Sequence, residues 1–239
     1  MKNLIFNLFV VSAVATSIIS CQRDEINSFG EISEADAVEI IEQVIVSDSY
    51  GMDIQAEDAV NTESSMTSKN NICGVLNEVS TTRNSIPGAI IYFTHSIDYS
   101  FELICEGNIP QAYDIDFRGN GQYISPRLES EDIITYRANL SNLLPADGPY
   151  IYNSSFTREG DQILKINGNR KEFNSTLSIA SSQILIDKTT RIILGGSATF
   201  SLTGNLTNGD TFSYNGSITF LGNGNATIKI GDTIYNVSL

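Results

Sequence analysis

Residues 197–220 read SATFSLTGNLTNGDTFSYNGSITF, and this stretch decides the fold class. Ala198, Phe200 and Leu202 alternate with hydroxyl residues. Phe212, Tyr214, Ile218 and Phe220 repeat the pattern after Asn208-Gly209. Successive side chains of a strand project to opposite faces, so this alternation predicts strands with one buried and one wet face. Asn-Gly between two such runs predicts a hairpin, because the tight turns that suit twisted strands need positive φ at their centre.

The same grammar extends in both directions. Ile228 and Ile230 alternate, as do Tyr235, Val237 and Leu239, and Gly231-Asp232 marks the turn between them. Asn167-Gly168 is a second hairpin signal, and Gly195-Gly196 and Gly222-Asn223-Gly224 punctuate the runs. Earlier strand-like runs lie at 89–94, 97–104, 113–118, 133–137, 150–157 and 184–187. Ten to fourteen strands fit residues 72–239. No helix-length pattern separates them, which excludes a βαβ fold. The expected fold is mostly β: a single antiparallel meander, packed as a sandwich or curled into a half-barrel, with one short N-terminal helix.

That helix is predicted over about 33–47. Ser33 followed by Asp36 is close to a capping box, and Ala37, Val38, Ile41, Val44 and Ile45 recur at helical spacing. Acids crowd its first turns, which suits the positive end of the helix dipole. Residues 58–71, rich in Ser, Thr and Asn, read as a linker or long loop.

Charge is unevenly placed. The chain of 239 residues carries −14, with a pI of about 4.3. Between residues 22 and 70 twelve acids face only Arg23 and Lys69, a net −10. Asymmetry of this kind marks a tail or spacer. Residues 21–71 are therefore expected to form an acidic spacer carrying the helix, ahead of a β domain at 72–239. So acidic a surface repels phosphate backbones, so no nucleic-acid partner is expected. The acids follow no calcium-loop spacing, and with one histidine and no C-x-x-C pair neither a metal site nor a cofactor is expected.

The first twenty residues read as a secretory signal, with Lys2 ahead of an apolar run from Leu4 to Ile19. At about 16 residues the run is short for a bilayer span. It ends in Ile18-Ile19-Ser20-Cys21, which resembles the lipobox of bacterial lipoproteins. The resemblance implies cleavage before Cys21 and a lipid, palmitate among its acyl chains, on the mature N-terminus. Cys21-Gln22-Arg23-Asp24-Glu25 is similar to the acidic surface-export segment of Bacteroidota outer-membrane lipoproteins. That implies an outer-membrane location, lipid-anchored at Cys21 and surface-exposed; a solvated linker explains the same acids. Cys73 and Cys105 remain, an even number on an oxidising export route, and are expected to form a disulfide.

Catalytic chemistry is sparse. His95 is the one histidine, and at a strand end it reads as a surface or turn residue. Asp114 with Asp116, and Glu129, Glu131 and Asp132, are the carboxylate groupings a glycosidase would draw on. Acids at alternate strand positions also describe a wet sheet face. Tyr92, Tyr99, Tyr113, Tyr123, Tyr136, Tyr150 and Tyr152 are the candidates for a sugar platform. The leading expectation is a non-enzymatic lipoprotein whose β domain binds or scaffolds. A carrier of apolar ligands in a half-barrel cavity is the alternative, and a surface glycosidase or carbohydrate binder a third.

Overall fold

The structure, a computed structural model, describes residues 31–46, 51–67, 72–144, 148–166 and 169–239. Cys21, the leader, the export segment and the Asn167-Gly168 turn lie outside the described residues.

Two helices precede ten strands. The helices are α1 (Glu34–Ile45) and α2 (Met52–Thr67). The strands are β1 (Leu76–Asn84), β2 (Tyr92–Glu106), β3 (Ile109–Ile124), β4 (Leu128–Ser141), β5 (Tyr150–Ile166), β6 (Asn169–Ile186), β7 (Ile193–Leu206), β8 (Thr211–Gly222), β9 (Asn225–Ile230) and β10 (Thr233–Ser238). Each pairs antiparallel with the next, giving one open ten-stranded meander in chain order. The turns expected at Asn208-Gly209, Gly222-Asn223-Gly224 and Gly231-Asp232 join β7 to β8, β8 to β9 and β9 to β10. Gly195-Gly196 corrects its reading: it sits inside β7, where the register with β6 shifts. A Cβ on Gly196 would meet the Ile184 backbone at 2.6 Å.

The helical segment also corrects its reading, because two helices are present where one was expected. α1 begins as its cap predicts. The Ser33 side chain accepts from the Asp36 amide, and the Asp36 carboxylate accepts from the Ser33 amide. α2 occupies most of the expected linker. Met52, Ala56, Ala59 and Val60 form its buried stripe at helical spacing, in the same core cluster as the sheet. Alanines make that stripe faint in sequence, and the polar 61–67 segment has no stripe to see.

A flat sheet of ten strands would be about 43 Å wide at a strand spacing of about 4.8 Å. Twelve residues make α1 only about 18 Å long. Yet the start of α1 reaches β6, β8 and β10. Lys171 donates to the Glu31 carbonyl and to Asp36, Tyr214 donates to the Ile32 carbonyl, and Tyr235 donates to Glu34. Further along, Glu39 pairs with Arg127 ahead of β4. On α2, Asp58 pairs with Arg83 of β1, and Asn61 accepts from Arg191 in the β6–β7 turn. The sheet therefore curls around the two helices. Ile32, Ile40, Ile41, Val44, Ile45 and Met52 fill its concave side among Phe156, Leu177, Leu202 and Ile228, all fully or nearly fully buried.

Cys73 and Cys105 are bonded, with Cα atoms 5.7 Å apart, and tie the segment before β1 to the end of β2. Closing a loop of 32 residues stabilises the fold by roughly 3–4 kcal/mol in the chain-entropy view. Among the described residues no helix is long and apolar enough to cross a membrane.

Candidate functional site

Strand alternation divides the polar residues of the central strands into an inner and an outer set. β4 shows this within four residues: Glu129 and Glu131 face out, while Ser130 and Asp132 face in. The expected cluster of Glu129, Glu131 and Asp132 is thus split between two faces, so these three do not converge on one substrate.

The inner set forms a buried chain of polar contacts under α1. Ser175 donates to the Gln162 carbonyl oxygen at 3.0 Å, and Gln162 Nε2 reaches Asp132 Oδ1 at 3.4 Å. Arg158 Nε lies 3.7 Å from the same Asp132 oxygen. Arg158 Nη1 donates to Gln43 Oε1 of α1 at 2.7 Å, and Gln43 Nε2 donates to Ser130 Oγ at 2.9 Å. Arg158 is 2% exposed and Asp132 5%. Burial lowers the pKa of Arg158, and the Asp132 charge opposes that shift. Among the described residues Arg158 Nη2 has no hydrogen-bond partner.

Glycines make room for this set. The cross-strand row through Asp132 reads His95, Gly121, Asp132, Gly160, Ser175, Gly204 and Phe212 from β2 to β8. A Cβ on Gly160 would lie 2.5 Å from Asp132 Oδ1, and one on Gly121 would lie 2.4 Å from His95 Nδ1. His95 is thereby buried, at 6% exposure, with its ring 5.5 Å from Phe93. This corrects the surface-or-turn reading: the glycine opposite accommodates the ring.

The outer set lines the candidate site. Register places Gln122, Glu131, Asp161, Asn174 and Asn205 side by side on β3 to β7. All five are exposed. A groove of about 430 Å³ runs along them, bordered by Ile124, Glu129, Ile163 and Glu172. Asn205 donates to Asn174 at 3.1 Å. Among the described residues Gln122, Glu131 and Asp161 make no side-chain hydrogen bond or ion pair. The bordering acids are compensated. Glu129 pairs with Lys165, whose hydrogen bond lowers the carboxyl pKa, and Glu172 lies 3.8 Å from Arg170.

The other sequence candidates lie elsewhere. Asp114 and Asp116 are on the wet outer face, as alternate acids suggest; Asp116 pairs with Arg137 at 2.8 Å and Asp114 accepts from Asn139 at 2.7 Å. Tyr113, Tyr123, Tyr136, Tyr150 and Tyr152 point into the core, so they make no sugar platform. The Gln122–Asn205 row escaped the sequence reading because it exists only through register. Its members are spread over 84 positions, and the one hint was an acid or amide recurring alternately late and early in successive strands.

Comparison with protein-family models, with curated proteins and with solved structures returns no match.

Proposed function

We propose that this chain is an exported, lipid-anchored, non-enzymatic protein whose β domain binds through its outward sheet face. The single observation that carries the choice of face is the filling of the concave side by α1 and α2. A binding partner then has the outer face, the turns and the open edges to use. The leader and the Ile18-Ile19-Ser20-Cys21 motif carry the anchor. Ten chain steps separate Cys21 from Glu31, a span of at most about 35 Å. Glu31 sits beside Lys171, the neighbour of groove residue Glu172. An anchored Cys21 therefore holds the groove near the membrane surface.

The test is metabolic labelling with radioactive palmitate, followed by membrane fractionation and protease shaving of intact cells. The expected result is label on the wild-type chain, and loss of both label and membrane association in Cys21→Ala. Unchanged membrane association of Cys21→Ala overturns the anchor. Resistance to shaving in intact cells, with sensitivity after lysis, overturns surface exposure and leaves a periplasm-facing anchor.

A second reading, a carrier of apolar ligands, draws on one observation. Among the described residues Arg158 Nη2 has no partner under α1, where the head of an acyl chain would reach it if the helix moved aside. Saturable displacement of a fluorescent fatty acid by dodecanoate, lost in Arg158→Met, supports it; no uptake of the probe removes it.

A further inference from the structure

We propose that the outer groove binds a neutral, extended polysaccharide lying across strands β3 to β7. This rests on the outward-face reading above and is independent of the anchor.

Neighbouring strands are about 4.8 Å apart, so the row from Gln122 to Asn205 presents five planar side chains over about 19 Å. One step is close to the length of one pyranose ring in an extended chain. A ligand with a regular repeat can thus meet each strand in turn, which a single sugar or a compact metabolite cannot.

Chemistry selects the repeat. Gln122 offers both amide donors and a carbonyl acceptor, Asn174 and Asn205 offer what their mutual hydrogen bond leaves, and Glu131 and Asp161 offer acceptors alone. Hydroxyl groups both donate and accept, so they satisfy this mixed row. A basic peptide would use only the acceptors and leave the amide donors unmet, and the bordering carboxylates Glu129 and Glu172 already face Lys165 and Arg170. An anionic polymer is repelled by Glu131, Asp161 and the net charge of −14. Ile124 and Ile163, one outward position further along β3 and β5, alternate in register with Glu129 and Glu172 and give two separate apolar contacts beside the polar row. A sugar ring has the matching form, with hydroxyls at its edge and C–H groups on its faces.

The rest of the outer face sharpens the choice. Thr135, Thr157, Ser178 and Ser201 form a row of short hydroxyls across β4 to β7. The acid and amide row on β2 to β5, formed by Glu102, Asp114, Asn139 and Asn153, is largely engaged. There Asn139 donates to Asp114, and Asn153 accepts from the Gln183 amide. In the groove the central pair, Glu131 and Asp161, is left for a ligand.

The test is native affinity electrophoresis of the full chain in detergent micelles, in gels containing hydroxyethylcellulose, mannan, dextran or laminarin. Calorimetry with decalysine runs alongside. The expected result is retardation by at least one neutral polymer, weakened roughly tenfold by Asp161→Ala or Asn174→Ala, about the effect of one lost hydrogen bond to a charged or amide group. Ser178→Ala, on the same face outside the groove, should leave retardation unchanged, and melting curves should show all three variants folded. Retardation by none of the four polymers overturns the proposal. So does retardation that Asp161→Ala and Asn174→Ala both leave intact, or binding of decalysine alone. Each of these outcomes leaves the palmitate and fractionation result standing, so the anchor and the ligand can fail separately.

Discussion

Glu131 and Asp132 are neighbours in the chain and live in opposite physical regimes. Glu131 faces water next to Asp161, its like-charged cross-strand neighbour, and makes no ion pair among the described residues. Asp132 faces the interior, accepts from Gln162 and lies beside the buried Arg158. The strand pleat alone separates them. The two faces teach different lessons about the same residue type: inside, a carboxylate holds the fold together through specific partners; outside, it is left available. Substitutions on either side should therefore differ in size and even in sign.

The largest effect should come from the interior. Arg158→Met strands the Asp132 charge in a buried site and removes the acceptor contact of Gln43, so stability should fall by about 3–5 kcal/mol. The double variant Arg158→Met with Asp132→Leu should recover most of that loss, because a buried ion pair is worth little against a well-packed apolar pair. Urea unfolding of the four species closes the double-mutant cycle. A double variant that loses the sum of the two single losses would show that the pair is not coupled, and would erase the contrast between the faces.

Gly160→Ala comes next. Its Cβ would lie 2.1 Å from the Glu131 carbonyl oxygen and 2.8 Å from the Asp132 Cα, both atoms of the backbone. Backbone cannot swing aside as a side chain tip can, so β4 and β5 must part locally. The expected cost is about 1–3 kcal/mol, as for overpacking, read as a fall in the urea midpoint. A glycine that tolerated alanine there would mean that the row of His95, Asp132 and Ser175 does not depend on the glycines between them.

Outside, the sign should reverse. Like charges directly opposite each other on neighbouring strands are unfavourable. Glu131→Gln should therefore stabilise the free protein by a few tenths of a kcal/mol. The gain should shrink as salt screens the pair, unlike the interior effects. Thermal melts at low and high salt separate the two, and a loss of stability in Glu131→Gln would mean that the carboxylate has a structural partner.

This contrast also marks how far the sequence could be read. Alternation identified most of the strands but not β1, which fell in none of the named runs; Asn208-Gly209 and Gly231-Asp232 marked turns, the Ser33/Asp36 cap marked the start of α1, and cysteine parity paired Cys73 with Cys105. All of these are local or countable. The polar Thr94-His95-Ser96 step broke the alternation between 89–94 and 97–104, so one long strand, β2, read as two. The reason for its continuity, the space opposite His95 at Gly121, lies on another strand. α2 was hidden because alanine is weakly apolar and its buried stripe is therefore faint. The groove was hidden for a deeper reason. Each of its five polar residues looks ordinary in its own strand, and only the register of four strand pairs sets them in line.

The smallest expected effect lies at the boundary between the two regimes, on α1. Burial raises the pKa of Glu42, and the Arg127 charge offsets only part of that rise; Glu39 behaves the same way, with Glu42 and Asp36 adding to the upward shift. A carboxyl whose folded pKa lies above its unfolded value binds protons more readily in the folded state. Its contribution to stability is fully present below the unfolded pKa and is lost as the pH rises through the folded one. Glu42→Gln keeps the shape and removes the ionisation. It should leave the melting temperature nearly unchanged at about pH 4 and raise it by a degree or two near neutrality, flattening the pH profile between them. Melts across that range check the slope. A variant less stable than wild type near neutrality would show that the attraction of Arg127 outweighs burial, and would place Glu42 with the exposed carboxylates of the outer face.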